Sequence, residues 1–139
     1  MLDFSSNVNP LGYPSMVKLD LKKISVYPDH DSFKLKQALA KYLKISKPYI
    51  TIGNGATELI YDFCRIMISK KVLIPAPTFG EYGAASRLCG AKPDFFETLN
   101  LQNDLDKFTQ KIPKNGIVFV CNPNNPTGEM LSKNSITQI

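Results

Sequence analysis

Four short apolar runs, at residues 49–52, 72–74, around Phe95 and at 117–120, alternate with stretches of helical apolar spacing, and this alternation restricts the folds open to the chain. Continuous apolar strands of this length are buried on both faces, and helical crossovers between them make the strands parallel. The expected architecture is α/β, a mostly parallel sheet with helices on both faces. Leu59, Ile60, Phe63 and Met67 mark one helix. Tyr82, Ala85 and Leu88 mark a second that Gly90 can end, and Leu101, Leu105 and Phe108 mark a third. The first thirty residues differ, because Pro10, Gly12, Pro14 and Pro28 break every period. They predict an extended arm and connecting segment over 1–30. A helix follows with Leu35, Ala38, Leu39 and Tyr42 on its apolar face and Asp31 or Ser32 as N-cap. Ser132 opens a last capped helix, which is expected to reach the chain end before burying a face.

Charge narrows the partners. The net charge is +5, but only Arg65 and Arg87 among 17 basic residues are arginine, and the lysines are scattered. Reading of bases and phosphates favours the bidentate fork of arginine, so a solvated lysine surface is expected, with no nucleic acid and no membrane as partner. The apolar runs are too short to span a bilayer, and the start lacks a secretory pattern, which together predict a cytoplasmic protein. Cys64, Cys89 and Cys121 stand too far apart in sequence to make a Cys-x-x-Cys site and lie among apolar residues, as reduced core thiols would.

Three loops carry chemistry. Gly53-Asn-Gly-Ala-Thr-Glu58 opens a helix with little side-chain bulk, so backbone N–H groups and the Thr57 hydroxyl can receive an anion, a phosphate above all. A plain tight turn with a helix cap is the structural alternative. A dinucleotide fingerprint is the weaker alternative, since Glu58 occupies its third glycine position and no acidic residue follows about twenty residues later. Pro75-Ala-Pro-Thr-Phe79 leads to Tyr82, which can stack on a flat ligand ring or simply fill the core. Cys121-Asn-Pro-Asn-Asn-Pro-Thr-Gly128 lies past the run at 117–120, where ligands of parallel sheets bind. It offers Asn125 as a donor to a ring oxygen, or as an Asx-turn. Phosphate cradle, aromatic platform and amide donor fit a planar phosphorylated cofactor such as pyridoxal 5'-phosphate.

With Leu2-Asp-Phe-Ser-Ser-Asn-Val-Asn-Pro-Leu-Gly12 and Tyr27-Pro-Asp29, these strings resemble, in order, the amino-terminal portion of a fold-type I class I/II aminotransferase. Histidinol-phosphate aminotransferase and threonine-phosphate decarboxylase are the most similar branches. The resemblance implies that Gly55, Ala56 and Thr57 hold the cofactor phosphate, that Tyr82 stacks on the pyridine ring and that Asn125 donates to its phenolic oxygen. It implies that Tyr27 reaches the cofactor phosphate of the neighbouring subunit in a homodimer and that Asn7 lies near substrate; an Asx-turn before Pro10 is the alternative for Asn7. Residues 31–139 would be the first part of the cofactor-binding large domain. The family's Schiff-base lysine, its aspartate for the pyridinium nitrogen and its substrate arginines lie downstream of the Asn-Pro-Thr-Gly loop. No catalytic residue is therefore expected in this chain, which would be inactive alone. The implied activity is transfer of an amino group between a phosphorylated amino compound, such as histidinol phosphate, and a 2-oxo acid. The alternatives are the decarboxylase of cobalamin biosynthesis and a non-catalytic fragment or interaction module.

Overall fold

The computed structural model describes residues 8–12, 14–16, 18, 20–67 and 70–139. The chain forms two compact units, Met1–Ile50 and Thr51–Ile139.

In the first unit, 3-10 turns at Leu21–Ser25 and Lys47–Tyr49 flank helix α1, Phe33–Leu43. Ser32 is the N-cap by position, but it sits at φ 48° and its side chain makes no capping bond. The carboxylate of Asp29 does this work instead, accepting from the N–H of Phe33 at 2.7 Å. Asp31 is drawn to Lys36 at 2.6 Å, and that hydrogen bond and charge hold its carboxyl below the ordinary value. The apolar face expected on α1 exists in sequence but is largely uncovered: Leu35 and Tyr42 are exposed, and Leu39 is half-buried.

The second unit contains a three-stranded parallel sheet of order β2-β1-β3, with β1 at Lys71–Ala76, β2 at Lys92–Glu97 and β3 at Ile117–Val118. Val72, Leu73 and Ile74 are the most apolar run of the chain and take the central strand, each at most 3% exposed. Pro93, which lacks an N–H, falls on the edge strand β2, where the missing donor is tolerated. Residues 49–52 form no strand. Pro48 directs this segment into a 3-10 turn, and none of the described strands pairs with the extended residues that follow.

Pleating sends alternate residues to opposite faces, and each face has its own core. Leu73 and Phe96 meet Leu101, Phe108 and Leu131 on one side, the side of α4, Leu105–Gln110. Val72, Ile74 and Ile117 meet Ala91, Tyr82 and Phe119 on the other, the side of α3, Glu81–Leu88. Gly90, at φ 79°, ends α3 as its position in the sequence predicts, and the N–H of Ala91 returns to Ser86 at 3.0 Å. Helix α5, Lys133–Gln138, is capped by Ser132, whose Oγ accepts from the Ser135 N–H at 3.1 Å. Ser135 is the one buried residue of α5, whose apolar Ile136 stays exposed, while Ile139 just past the helix packs on the Phe108 cluster.

The order β2-β1-β3 places a reversal of strand order between the parallel strands β1 and β3. The chain steps outward through α3 to β2, then crosses the opposite face through α4 to β3. Crevices for ligands open at the carboxyl ends of strands at such a switch point. The loops leaving β1 and β3 therefore flank the candidate site.

Candidate cofactor site

Helix α2, Gly55–Ile66, begins the site. Gly55 has φ 84°, a conformation that favours glycine, and a Cβ there would meet nothing within 4 Å. The loop is therefore open above Gly55. Gly53 needs its hydrogen for a different reason, because a Cβ would lie 2.9 Å from Glu58 Oε2 and from Leu59 Cδ2. Glu58 folds back so that its carboxylate accepts from the N–H of Asn54. The Gly55 N–H is bonded to the carbonyl of Gly53 at 2.9 Å. The N–H groups of Ala56 and Thr57 belong to the first turn, which has no intrahelical partner for them, and both residues are exposed. An anion held there also gains from the helix dipole.

Helix α2 is tied to α3 by Tyr61, whose hydroxyl donates to Glu81 Oε2 at 2.9 Å. That bond and the loss of solvent raise the Tyr61 pKa. At a rise of about 1.5 Å per residue, Gly55 to Thr57 lie roughly 6–9 Å along α2 from this tie. Tyr82, one residue past Glu81, is thus on the element anchored beside the cradle. Its ring stacks on Phe119 with centroids 4.8 Å apart and planes at 19°, and Phe79 meets it edge-on at 5.8 Å. Phe119 in turn touches Phe63 of α2 edge-on at 5.9 Å. One face of the Tyr82 ring is thus spent on Phe119 and the residue packs against the cluster of Val72 and Ile74, yet it stays partly exposed.

Burial, then a hydrogen bond with Cys121, pushes the Tyr82 phenol up to about 12. Its folded-state value stands above the ordinary 10, so the neutral phenol stabilises the fold below pH 10, and that contribution is lost as pH rises through 12. In an alkaline titration followed by phenolate absorbance, Tyr82 is expected to ionise last, with loss of near-ultraviolet circular dichroism. In Tyr82→Phe that late step disappears. Ionisation of all six tyrosines in one step near pH 10 would contradict the assignment.

The loop after β3 contains three asparagines in unlike roles. Asn122 is spent on the backbone of Leu131: its amide donates to the carbonyl at 3.3 Å and its oxygen accepts from the N–H at 2.8 Å. Asn124 joins the two loops of the switch point. Its Nδ2 donates to the Pro77 carbonyl at 3.0 Å and to Thr127 Oγ1 at 2.8 Å, and its Oδ1 accepts from Thr78 Oγ1 at 2.6 Å. Asn124 and Gly128 close a tight turn, with the Gly128 N–H on the Asn124 carbonyl at 2.7 Å. The peptide bonds preceding Pro77, Pro123 and Pro126 are cis. Asn125, half-buried between them, has a carboxamide with no hydrogen-bond partner among the described residues. Asn122 and Asn124 are spent on residues distant in sequence, no Asx-turn bond forms at Asn125 among the described residues, and its carboxamide is left uncommitted.

Asn7 lies outside the described residues. Tyr27 belongs to the first unit and is fully exposed. Thr78, Asn124 and Phe119, which brace the site, were not singled out in the sequence; their partners are 46, 47 and 37 residues away, and no local spacing announces them. Of the cysteines, all free, Cys64 is buried and Cys121 partly so. Cys89 is exposed because it caps the end of α3, against the expectation of a core thiol. Among the described residues no helix is long and apolar enough to cross a membrane, and no cluster of side chains suits a metal ion.

The family model of aminotransferase class I and II matches residues 1–139. The chain belongs to that family. Threonine-phosphate decarboxylase of Salmonella typhimurium is 38% identical over 92% of the chain and 37% of its own length. Histidinol-phosphate aminotransferase of Methanosarcina mazei is 34% identical over 100% and 40%. The crystal structure of histidinol-phosphate aminotransferase from Clostridium acetobutylicum superposes with a TM-score of 0.81 at 32% identity, covering 99% of this chain and 42% of that one. The chain thus spans about two fifths of the length of these relatives. The α/β architecture expected from the apolar runs is the aminotransferase fold, present as part of a domain. Pyridoxal 5'-phosphate is the cofactor of the class I and II aminotransferases, and the donors here suit it: first-turn N–H groups for a phosphate, an aromatic ring, and a free amide.

Proposed function

We propose that the chain supplies one wall of a pyridoxal-phosphate site in an aminotransferase acting on a phosphorylated amino compound and a 2-oxo acid. The free carboxamide of Asn125, in a loop whose other two asparagines are bound to protein, is the observation that carries this reading. When bound, the cofactor supplies a ring that withdraws electrons from the substrate carbon. The chain's own residues bind and orient. Gly55, Ala56 and Thr57 hold the phosphate at the start of α2, Tyr82 bears on the ring, and Asn125 donates to the ring oxygen. Asn7 serves the substrate. Tyr27, bare in this chain, serves the phosphate of a second subunit in a cytoplasmic homodimer engaged in amino-acid biosynthesis. No lysine of the chain is assigned the covalent role.

Decarboxylation of threonine phosphate is the second reading, favoured by the 38% identity to the Salmonella enzyme, against 34% for the Methanosarcina aminotransferase. Equilibrium dialysis of the chain against pyridoxal 5'-phosphate and against unphosphorylated pyridoxal tests the shared part. Saturable binding of the phosphorylated form, with induced circular dichroism in the cofactor band, is expected. Thr57→Val and Asn125→Ala should each weaken it by about tenfold, the worth of one charge-assisted hydrogen bond. Equal binding of both forms, or indifference to both substitutions, would sink the reading. Borohydride reduction that fixes the cofactor on one lysine would overturn the absence of a covalent anchor.

A further inference from the structure

At the opposite end of the sheet from the cofactor loops, Lys70, Lys71, Lys92 and Lys111 line a cavity of about 320 Å³. They come from three places in the chain: the approach to β1, the first residue of β2 and the residue after α4. Register brings them together. Lys71 and Lys92 are direct partners in the parallel ladder, as are Leu73 and Asp94, and all four project to the α4 face. Two ammonium groups side by side on one face are mutually repulsive.

Among the described residues Lys70, Lys92 and Lys111 belong to no ion pair. Asp94 is the one carboxylate among the described residues of the lining, set against the lysines, so positive charge predominates there. Lys111 is held by the Phe96 ring, with Nζ 5.3 Å from its centroid, which steadies the ammonium without neutralising it. Leu73 and Pro113 add apolar surface to the lining, along which lysine stems can lie. The volume is at the small end of ligand sites.

We propose that this cavity binds a small polyanion carrying at least two negative groups, of the diphosphate class. An anion there removes the repulsion between Lys71 and Lys92 and supplies the missing counter-charge for Lys70 and Lys111. Lysine suits this ligand, because point charges on flexible stems converge on a compact phosphate without a planar fork. The site is independent of the cofactor reading, shares no residue with it and lies beyond the amino ends of the strands.

Inorganic pyrophosphate is the probe, titrated calorimetrically into the 139-residue chain at matched ionic strength. One saturable site per chain is expected. The double variant Lys92→Gln/Lys111→Gln should weaken it by about tenfold or more, since two close charges are lost. Lys34→Gln/Lys133→Gln, with the same change in net charge elsewhere, should leave it unchanged, as should Thr57→Val/Asn125→Ala. Circular dichroism checks that each variant is folded, and single glutamine variants at Lys92 and at Lys111 replace any double variant that is not. No saturable binding, or equal weakening in both lysine double variants, would overturn the proposal. Tighter binding of a DNA oligonucleotide that depends on Lys92 and Lys111 would also overturn it and assign the surface to nucleic acid.

Discussion

Phe108→Ala is expected to lower the unfolding free energy of the 51–139 unit by about 3–5 kcal/mol, the range for deleting a fully buried phenyl ring. Phe108 is 0% exposed and meets Phe96 edge-on at 5.4 Å, with Leu73, Leu101 and Leu131 completing its surroundings. Its ring connects α4 to the sheet, to the turn at Leu101 and to the segment before α5, so none of these can close the space alone. The loss is a large fraction of the stability of a small unit. Urea denaturation followed by circular dichroism measures it. Phe95→Ala is the internal comparison, in strand β2 and on the opposite face of the sheet from Phe108, where the ring is 40% exposed and bears on Arg87. It should cost roughly a third as much, because less surface is withdrawn from water. A Phe108→Ala cost no larger than that of Phe95→Ala would disprove the view that the α4 face holds the unit together.

The same two phenylalanines show what the sequence made legible. Strand alternation separates Phe95 from Phe96, and helical spacing puts Leu105 and Phe108 on one face; both features are local, and the sheet with its two cores followed from them. The run at 49–52 failed because an apolar segment needs a ladder partner to become a strand, and local pattern carries no information about partners. The cap of α1 was misplaced for a related reason. Asp29, Asp31 and Ser32 all suit the role, and Lys36 draws Asp31 away through a contact that the choice of cap residue does not reveal. At the site, motif and position singled out Asn125 without distinguishing how Asn122 and Asn124 are used. Three identical amides within four residues differ only in what the fold brings opposite them: Leu131, Pro77 with Thr78, or nothing. Tyr82 was legible as an aromatic beside the site, but its stack on Phe119 was not, since that contact exists only once β3 lies beside β1.

That difference among the asparagines yields the second large effect. Asn124→Ala removes donations to the Pro77 carbonyl and Thr127 Oγ1, and strands the Thr78 hydroxyl that donated to it at 2.6 Å. Three hydrogen bonds at about 0.5–1.5 kcal/mol each set an expected loss of about 2–4 kcal/mol, toward the lower end because water reaches part of the loop. Thr78→Val removes one bond and should cost about 1 kcal/mol, while Thr78→Ser keeps the hydroxyl and should cost less. Asn125→Ala removes no internal bond and is expected to stay within about 0.5 kcal/mol of the parent chain. Cofactor binding should divide the variants along another line. Asn125→Ala weakens pyridoxal 5'-phosphate binding in a fully stable chain. Asn124→Ala weakens it because the β1 and β3 loops lose their common spacing, so the thermal transition falls with it. Thr78→Ser, which unlike Thr78→Val keeps the donor to Asn124, should retain both properties together. Denaturation midpoints and dialysis measured side by side give the result: if Asn125→Ala destabilises the fold as much as Asn124→Ala, the amide of Asn125 is structural. The loop after β3 would then be a turn with three anchors instead of a turn that holds one donor free for a ligand.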